Sequence, residues 1–323
     1  MILAGDIGGT KTILALCDDR GAIQREATFQ ATDFDSLEAI IATFEAGEQV
    51  TAACFGVAGP VVGGVAKITN LPWVISEAAL AAKLGARVTL LNDLQATALG
   101  ALVLPATSFA VLQPGDTPLP NGTVAVIAPG TGLGEAVLFH DGRRYRALPS
   151  EGGHADFAPG TDDEIELLRY LRGKYGEHVS YERVLSGNGL GDLYRFARTR
   201  LGTPEPGWLA VELATGEYNA AVANAALATR DDACVLALEM FVQILGAEAG
   251  NLALRGLCTG GVVIGGGIPP KILPALQAGS LLDRFNAKGR FSNWTRALGV
   301  RVALEPRAAL LGAASQAAIT KDL

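Results

Sequence analysis

The chain has 323 residues, 49% of them hydrophobic, with 40 glycines and few aromatics. That is apolar material for one large domain or two lobes, in a turn-rich α/β architecture and not a disordered chain. A net charge of −7 at pH 7 argues against nucleic acid and anionic membranes as partners, while a small anion could still be held by backbone N–H groups.

The cysteines (Cys17, Cys54, Cys234 and Cys258) are scattered, without a CxxC pair, which fits a cytoplasmic chain with free thiols. His140, His154 and His178 are too dispersed for a structural zinc site. The N-terminus has no basic leader followed by a long apolar run, so no signal peptide is expected. Residues 94–115 are uncharged, but Gln95, Thr97, Pro105, Thr107, Ser108 and Gln113 interrupt them. Pro105 would also break a single helix, so no membrane span is expected.

In chain order, MILAGDIGGTKTILALCDDRG (1–21) predicts a strand, a glycine turn and a second apolar strand. Asp35-Ser36-Leu37-Glu38 predicts a capping box opening a helix through Ala46. TAACFGVAG (51–59) predicts a buried strand entering a glycine turn. SEAALAAKLG (76–85) predicts a short helix capped by Ser76 and stopped by Gly85. A further apolar strand, VTLLND, ends in Asn92-Asp93 where helix-forming residues begin. Taken alone, Asp93 would be the cap of that helix, accepting a backbone N–H of its first turn.

GTVAVIAPGTGLGEAVLFHDG (122–142) then repeats the plan of the first hairpin, so that GDIGGT (5–10) and APGTGLG (128–134) correspond. Helices are predicted over 162–176, over 189–202 and from about Asp231 to Leu257. GVVIGGGIPP (261–270) is a third apolar run into glycines, with a helix from about Lys271 and a last one from about Arg307 to Thr320. Two α/β halves, each opened by a glycine-turned hairpin, predict two lobes with a cleft between them. Ligands in such sheets settle beyond the carboxyl ends of the strands.

One glycine turn is the default wherever a hairpin needs positive φ. Three at the mouths of apolar strands suit phosphate oxygens, because their backbone N–H groups converge. Thr10 and Thr131 add hydroxyl donors. Asp6 precedes the first turn, where a carboxylate would repel phosphate unless a cation intervened, so it is a candidate to hold Mg²⁺ through water. No GxxxxGK[ST] run and no GxGxxG opening a helix occur, so the chain is neither a P-loop nor a dinucleotide fold. SEGGHADFAPG (150–160) carries Glu151 and His154 around two glycines, and SYERVLSGNGL (180–190) places Glu182 near a helix start. Each has an ordinary reading, a helix-terminus acid or a loop histidine. Together with Asn92 they also make a polyol site, since carboxylates accept from vicinal hydroxyls and imidazole and amide groups can donate or accept.

The paired hairpins and GVVIGGG resemble the actin, heat-shock ATPase and sugar-kinase superfamily. That resemblance implies ATP, with Gly5, Asp6, Ile7, Gly8, Gly9 and Thr10 in one phosphate clamp and Gly130, Thr131 and Gly132 in the other. Gly265 and Gly266 would meet the adenosine, and Asp6 would hold Mg²⁺. More narrowly, GDIGGT, ITNLPW, LLNDL, GTGLG, EGGHADFAP, ERVLSG, NLAL, GGG and LLGA match the bacterial glucokinases of the hexokinase-like group, in order and over essentially the full length. The resemblance implies the α/β two-lobed actin-like ATPase (ribonuclease H-like) fold with a central cleft, and phosphorylation of glucose at its 6-hydroxyl. It makes Asp93 the catalytic base, places Asn92, Asp93, Glu151, His154 and Glu182 on the sugar, and sets Asn70 of ITNLPW beside it. A homodimer follows from the resemblance as well.

Lys11 stands where the family often has Asn, and reads equally as a phosphate contact or a solvated hairpin residue. The related repressor/kinase group shares that Lys, but its cysteine-rich zinc motif is missing after EGGH. A sugar-sensing regulator would need a DNA-binding segment, for which no room is expected before residue 5. A kinase for mannose or fructose is the remaining alternative. The expected lobes are residues 1–103 plus 307–323 and residues 104–306.

Overall fold

In the computed structural model, which describes residues 1–45, 47–68, 71–116 and 118–321, the first hairpin forms as expected. β1 (Ile2–Ile7) and β2 (Lys11–Cys17) pair antiparallel, and the Gly8 N–H donates to the Lys11 carbonyl at 2.9 Å to close the turn. The chain falls into two units: Met1–Ser108, Asp141–Pro149 and Glu305–Leu323 in the first, Phe109–His140 and Ser150–Leu304 in the second.

In the first unit, β3 (Ile23–Gln30), α1 (Leu37–Glu45) and β4 (Ala52–Val57) follow the hairpin. A small antiparallel sheet comes next, made of β5 (Val61–Val62), β6 (Val65–Lys67) and β7 (Val74–Ser76). Then come α2 (Glu77–Leu84), β8 (Arg87–Asn92) and α3 (Asp93–Val103). The main sheet runs β3-β2-β1-β4-β8, with β4 parallel to both β1 and β8. A parallel strand covered on both faces needs no polar side, and all six residues of β4 are buried. Alternation in β1 splits the core: Leu3 and Ile7 pack with Leu14, Ile40 and Phe55, while Ile2 and Ala4 face Leu310, Ala313 and Ala317 of the C-terminal helix Ala308–Thr320. That helix crosses α3 backbone to backbone. A Cβ on Gly100 would lie 1.9 Å from the Ala308 carbonyl oxygen, and one on Gly312 would lie 1.9 Å from that of Ala96.

The α2 boundaries are those expected: Ser76 accepts from the Ala79 N–H, and Gly85 takes the left-handed conformation at φ 60°. The capping box at 35–38 does not form. Ser36 is the cap, its Oγ accepting from the Ala39 N–H at 3.3 Å, so the third helical residue is an alanine with no side chain to reach back. Ala46 lies outside the described residues.

The second unit contains β9 (Phe109–Gln113), β10 (Val124–Pro129) and β11 (Leu133–His140); β12 (Tyr145–Leu148) falls in the segment counted with the first unit. Helices α4 (Asp162–Tyr175), α5 (Gly187–Leu201), α6 (Gly207–Thr215), α7 (Tyr218–Leu227) and α8 (Asp232–Arg255) lead to β13 (Val262–Ile264). Three short helices, α9 (Leu273–Gln277), α10 (Ser280–Asn286) and α11 (Ser292–Arg296), precede β14 (Val300–Ala303). The strands run β11-β10-β13-β14-β9, with β10, β13 and β14 parallel to one another. α5 begins two residues earlier than expected because the Ser186 hydroxyl accepts from the Gly189 N–H at 3.1 Å. α8, capped by Asp231, is long and apolar enough to cross a membrane, but it is mostly buried in this unit's core. All four cysteines are free and buried.

Candidate functional site

Asn92 and Asp93 end β8 and begin α3, and the structure divides their labour. Asn92, not Asp93, is the cap: its Oδ1 accepts from the Leu94 N–H at 2.9 Å while Gln95 Oε1 accepts from the Asn92 N–H at 3.1 Å, a complete capping box. Asn92 Nδ2 donates to the Gly59 carbonyl at 3.2 Å. The amide still has one N–H to offer. Asp93 Oδ1 accepts from the neighbouring Leu94 N–H, at 2.8 Å, in the first turn. Gln95 Nε2 donates in turn to the Ala147 carbonyl of β12, at 3.0 Å.

Asp6 lies in β1, paired with Ile13 on one side and Gly56 on the other. Burial, and then the charge of Asp93, push its carboxyl up to about 6. A divalent cation would relieve both costs, and oxygen donors suit Mg²⁺. Among the described residues no three His, Cys, Asp or Glu side chains cluster, so phosphate and water would have to complete an octahedral shell. Gly56, which the motif reading passed over, explains how Asp93 comes close. A Cβ there would sit 2.8 Å from that of Ala96 and 3.8 Å from the Asp93 Cα, so β4 can lie directly against the first turn of α3.

The glycines assigned to nucleotide serve different ends. Gly5 is inside β1, where a Cβ would meet Phe55 at 2.6 Å and Leu14 at 2.9 Å; its glycine is required by the core. Ile7 is fully buried, and the first turn proper is Gly8-Gly9-Thr10, with Thr10 and Lys11 exposed. In the second unit the Gly130 N–H donates to the Gly132 carbonyl at 2.8 Å, and the Gly187 N–H at the start of α5 donates to the Gly130 carbonyl at 2.9 Å. The positive end of α5 thus abuts this turn. Gly265 follows β13, its N–H donating to the Ile127 carbonyl at 2.8 Å. Gly266 takes a φ of 86°, and a Cβ there would lie 2.4 Å from the Pro129 carbonyl oxygen. Thr131 is exposed at the turn.

The two acidic segments are brought together by local pairing. The Phe157 N–H donates to the Val179 carbonyl at 2.8 Å and the Tyr181 N–H to the Ala155 carbonyl at 3.0 Å, with His178 Nδ1 and Asp156 Oδ1 also 2.8 Å apart. Glu151 and His154 are therefore held near Glu182, and their side chains are well exposed, 65% and 58%, as a ligand site requires. The glycines between them are there for closeness: a Cβ on Gly153 would lie 2.1 Å from the Leu133 carbonyl oxygen, and one on Gly152 would lie 2.4 Å from Glu135 Oε2. Glu182 does not cap α5, since Ser186 does. Its Oε2 instead accepts from the Leu133 N–H at 3.1 Å and stands against Gly132, tying this acid to the second glycine turn. Asn70 lies outside the described residues. Gly56 and Glu135 carry no motif signal; only their spatial partners reveal them.

The family model named Glucokinase matches residues 3–320. The glucokinase of Nostoc punctiforme is 40% identical, over 98% of this chain and 99% of that one. The crystal structure of a glucokinase from an Antarctic psychrotroph superposes with a TM-score of 0.84 at 31% identity, covering 98% of both chains. A ROK family glucokinase from Streptomyces griseus, solved with glucose and AMPPNP, has a TM-score of 0.62 at 22% identity, covering 98% of each, and so shares the fold.

Proposed function

The chain belongs to the glucokinase family, and from that premise we propose that it transfers the γ-phosphoryl group of ATP to the 6-hydroxyl of glucose, with Asp93 as the base. The observation that carries the assignment is the transfer of capping to Asn92, which leaves the Asp93 carboxylate at a strand's carboxyl end beside Asp6. Asp93 accepts the 6-hydroxyl proton as the oxygen attacks phosphorus in line, giving glucose 6-phosphate and ADP. Asn92, Glu151, His154 and Glu182, with Asn70, hold the sugar hydroxyls and so fix which oxygen is presented. The Gly8–Thr10 and Gly130–Gly132 turns offer N–H groups to the phosphates, and the glycine segment at Gly265 and Gly266 takes the adenosine. Mg²⁺ held at Asp6 would neutralise charge on the phosphates as it builds. Positioning and this neutralisation supply most of the rate.

Steady-state kinetics of Asp93→Asn with glucose and ATP test the reading. Turnover should fall by about two to four orders of magnitude, with a much smaller change in the KM for glucose. Because Asn92 is the cap, the variant should melt like the parent, so lost activity cannot be blamed on a frayed helix. Near-normal turnover would return Asp93 to a structural role. The same assay with mannose and fructose separates glucose from the other hexoses.

A further inference from the structure

Beneath the Glu151–His154 loop lies a pair of acids that phosphoryl transfer does not use. Glu135, on β11, is 2% exposed, and its Oε1 receives no N–H or O–H. Glu248, on α8, is fully buried and accepts from Asn251 Nδ2 at 2.9 Å and Arg255 Nη1 at 2.5 Å. Tyr181 is close by, its hydroxyl accepting from the same Asn251 Nδ2 at 3.4 Å. The Glu248 charge is close enough to Glu135 to act on that carboxyl. A buried carboxyl whose Oε1 receives no donor is cheaper to hold neutral than charged, which favours the proton on Glu135.

The surrounding charges keep the proton there. Burial first, and then the Glu248 charge, push Glu135 up to about 7, against the opposing pull of Arg255. Lys288 Nζ acts from the far side, on the Ala247 carbonyl at 2.8 Å and Asn251 Oδ1 at 2.7 Å, and burial holds its ammonium down to about 8. Tyr181 is pushed upward by burial and stays neutral. Arg255 thus balances one carboxylate of the pair. A second negative charge would be buried without a partner of its own, a state that relaxes by admitting water or moving backbone.

The backbone most able to move is the loop itself. Gly152 rests directly on Glu135 Oε2, and Gly153 on the Leu133 carbonyl, at separations that leave no space for a Cβ. β11 and α8 on the other sides are core elements. We propose that Glu135 is a positioning residue for sugar binding: its buried, protonated carboxyl is the floor that sets the height of the Gly152–Gly153 loop, and its ionisation displaces Glu151 and His154 and weakens glucose binding at alkaline pH. The inference rests on the assignment of Glu151 and His154 to the sugar.

Calorimetric titration of the full chain with glucose, without nucleotide, tests this apart from the chemistry. Wild-type affinity should hold from about pH 6 to about pH 7 and then fall, by up to about tenfold per pH unit. Glu135→Gln should bind as the parent does near pH 6 and lose that fall, because its amide fills the same space without a titrating proton. Glu248→Gln should also lose it, since Glu135 can then ionise beside Arg255. Both variants keep Glu151 and His154, so any pH dependence belonging to the loop's own side chains would persist. A wild-type affinity flat across the range, which needs no variant to fold, or a Glu135→Gln protein with the parent's slope, overturns the inference. Glu151→Gln reports on the premise: it should lose affinity at every pH. If it binds glucose normally, the sugar assignment of the loop falls and this inference with it. If it loses affinity while Glu135→Gln keeps the slope, only the role of Glu135 is lost.

Discussion

Glu182 and Gly132 occupy one small space. The Glu182 Oε2 accepts from the Leu133 N–H, and a Cβ on Gly132 would lie 2.5 Å from that same oxygen. Gly132→Ala should therefore push the carboxylate off the N–H. A hydrogen bond to a charged group is worth about 1.5–3 kcal/mol, so kcat/KM should fall by roughly ten- to a hundredfold, with the KM for ATP and for glucose both raised. Kinetics with each substrate varied in turn would check it; a rise confined to one substrate would mean that the two are not tied through this contact. The motif GTGLG flags Gly132 as a phosphate glycine, but its partner is fifty positions away and no local pattern points to it. Gly5 shows the opposite limit. It stands in GDIGGT and reads as nucleotide-binding, yet its immediate constraint is the Phe55 ring. At the 92–93 junction the residue pattern alone made Asp93 the cap. The bonds to Leu94, Gln95 and Gly59 decide for Asn92.

α3 carries Asp93 at its first residue, and its orientation is set where it crosses the C-terminal helix. Gly312 lets the two backbones touch at the Ala96 carbonyl, and Gly100 does the same at Ala308. Gly312→Ala forces the helices apart, an overpacking cost of about 1–3 kcal/mol. Thermal denaturation should show a melting point lowered by several degrees, and turnover should fall as the start of α3 shifts. An unchanged melting point would mean that the crossing tolerates a methyl group. The run LLGAASQAA announces such close packing in the sequence, because small residues recur along it. Helices with strong end signals were equally legible, α2 through Ser76 and Gly85 and α8 through Asp231. β3 was not, since IQREATFQ exposes most of its length and lacks a clean apolar face. α6 and α7 have no side-chain caps to mark them.

The two glycine hairpins announce two halves of the molecule because each opens a sheet. What the sequence does not mark is the excursion Asp141–Pro149, which counts with the first unit although its neighbours in the chain belong to the second. The Gln95 bond to the Ala147 carbonyl is part of what holds it to the first unit, and neither residue advertises it. Each unit has a core of its own. The first is built on both faces of its sheet, with the C-terminal helix on one face; the second surrounds α8, whose Phe241, Leu245 and Ala249 are fully buried. Separate cores lose their packing separately, so heat should unfold the free protein in more than one step. Phe241→Ala removes a large side chain from the second core alone, at about 3–5 kcal/mol. Differential scanning calorimetry should give a calorimetric enthalpy larger than the van't Hoff value for the parent. In the variant one component should move down while the other stays. A single two-state transition that shifts as a whole in Phe241→Ala would show the two cores to be one cooperative unit.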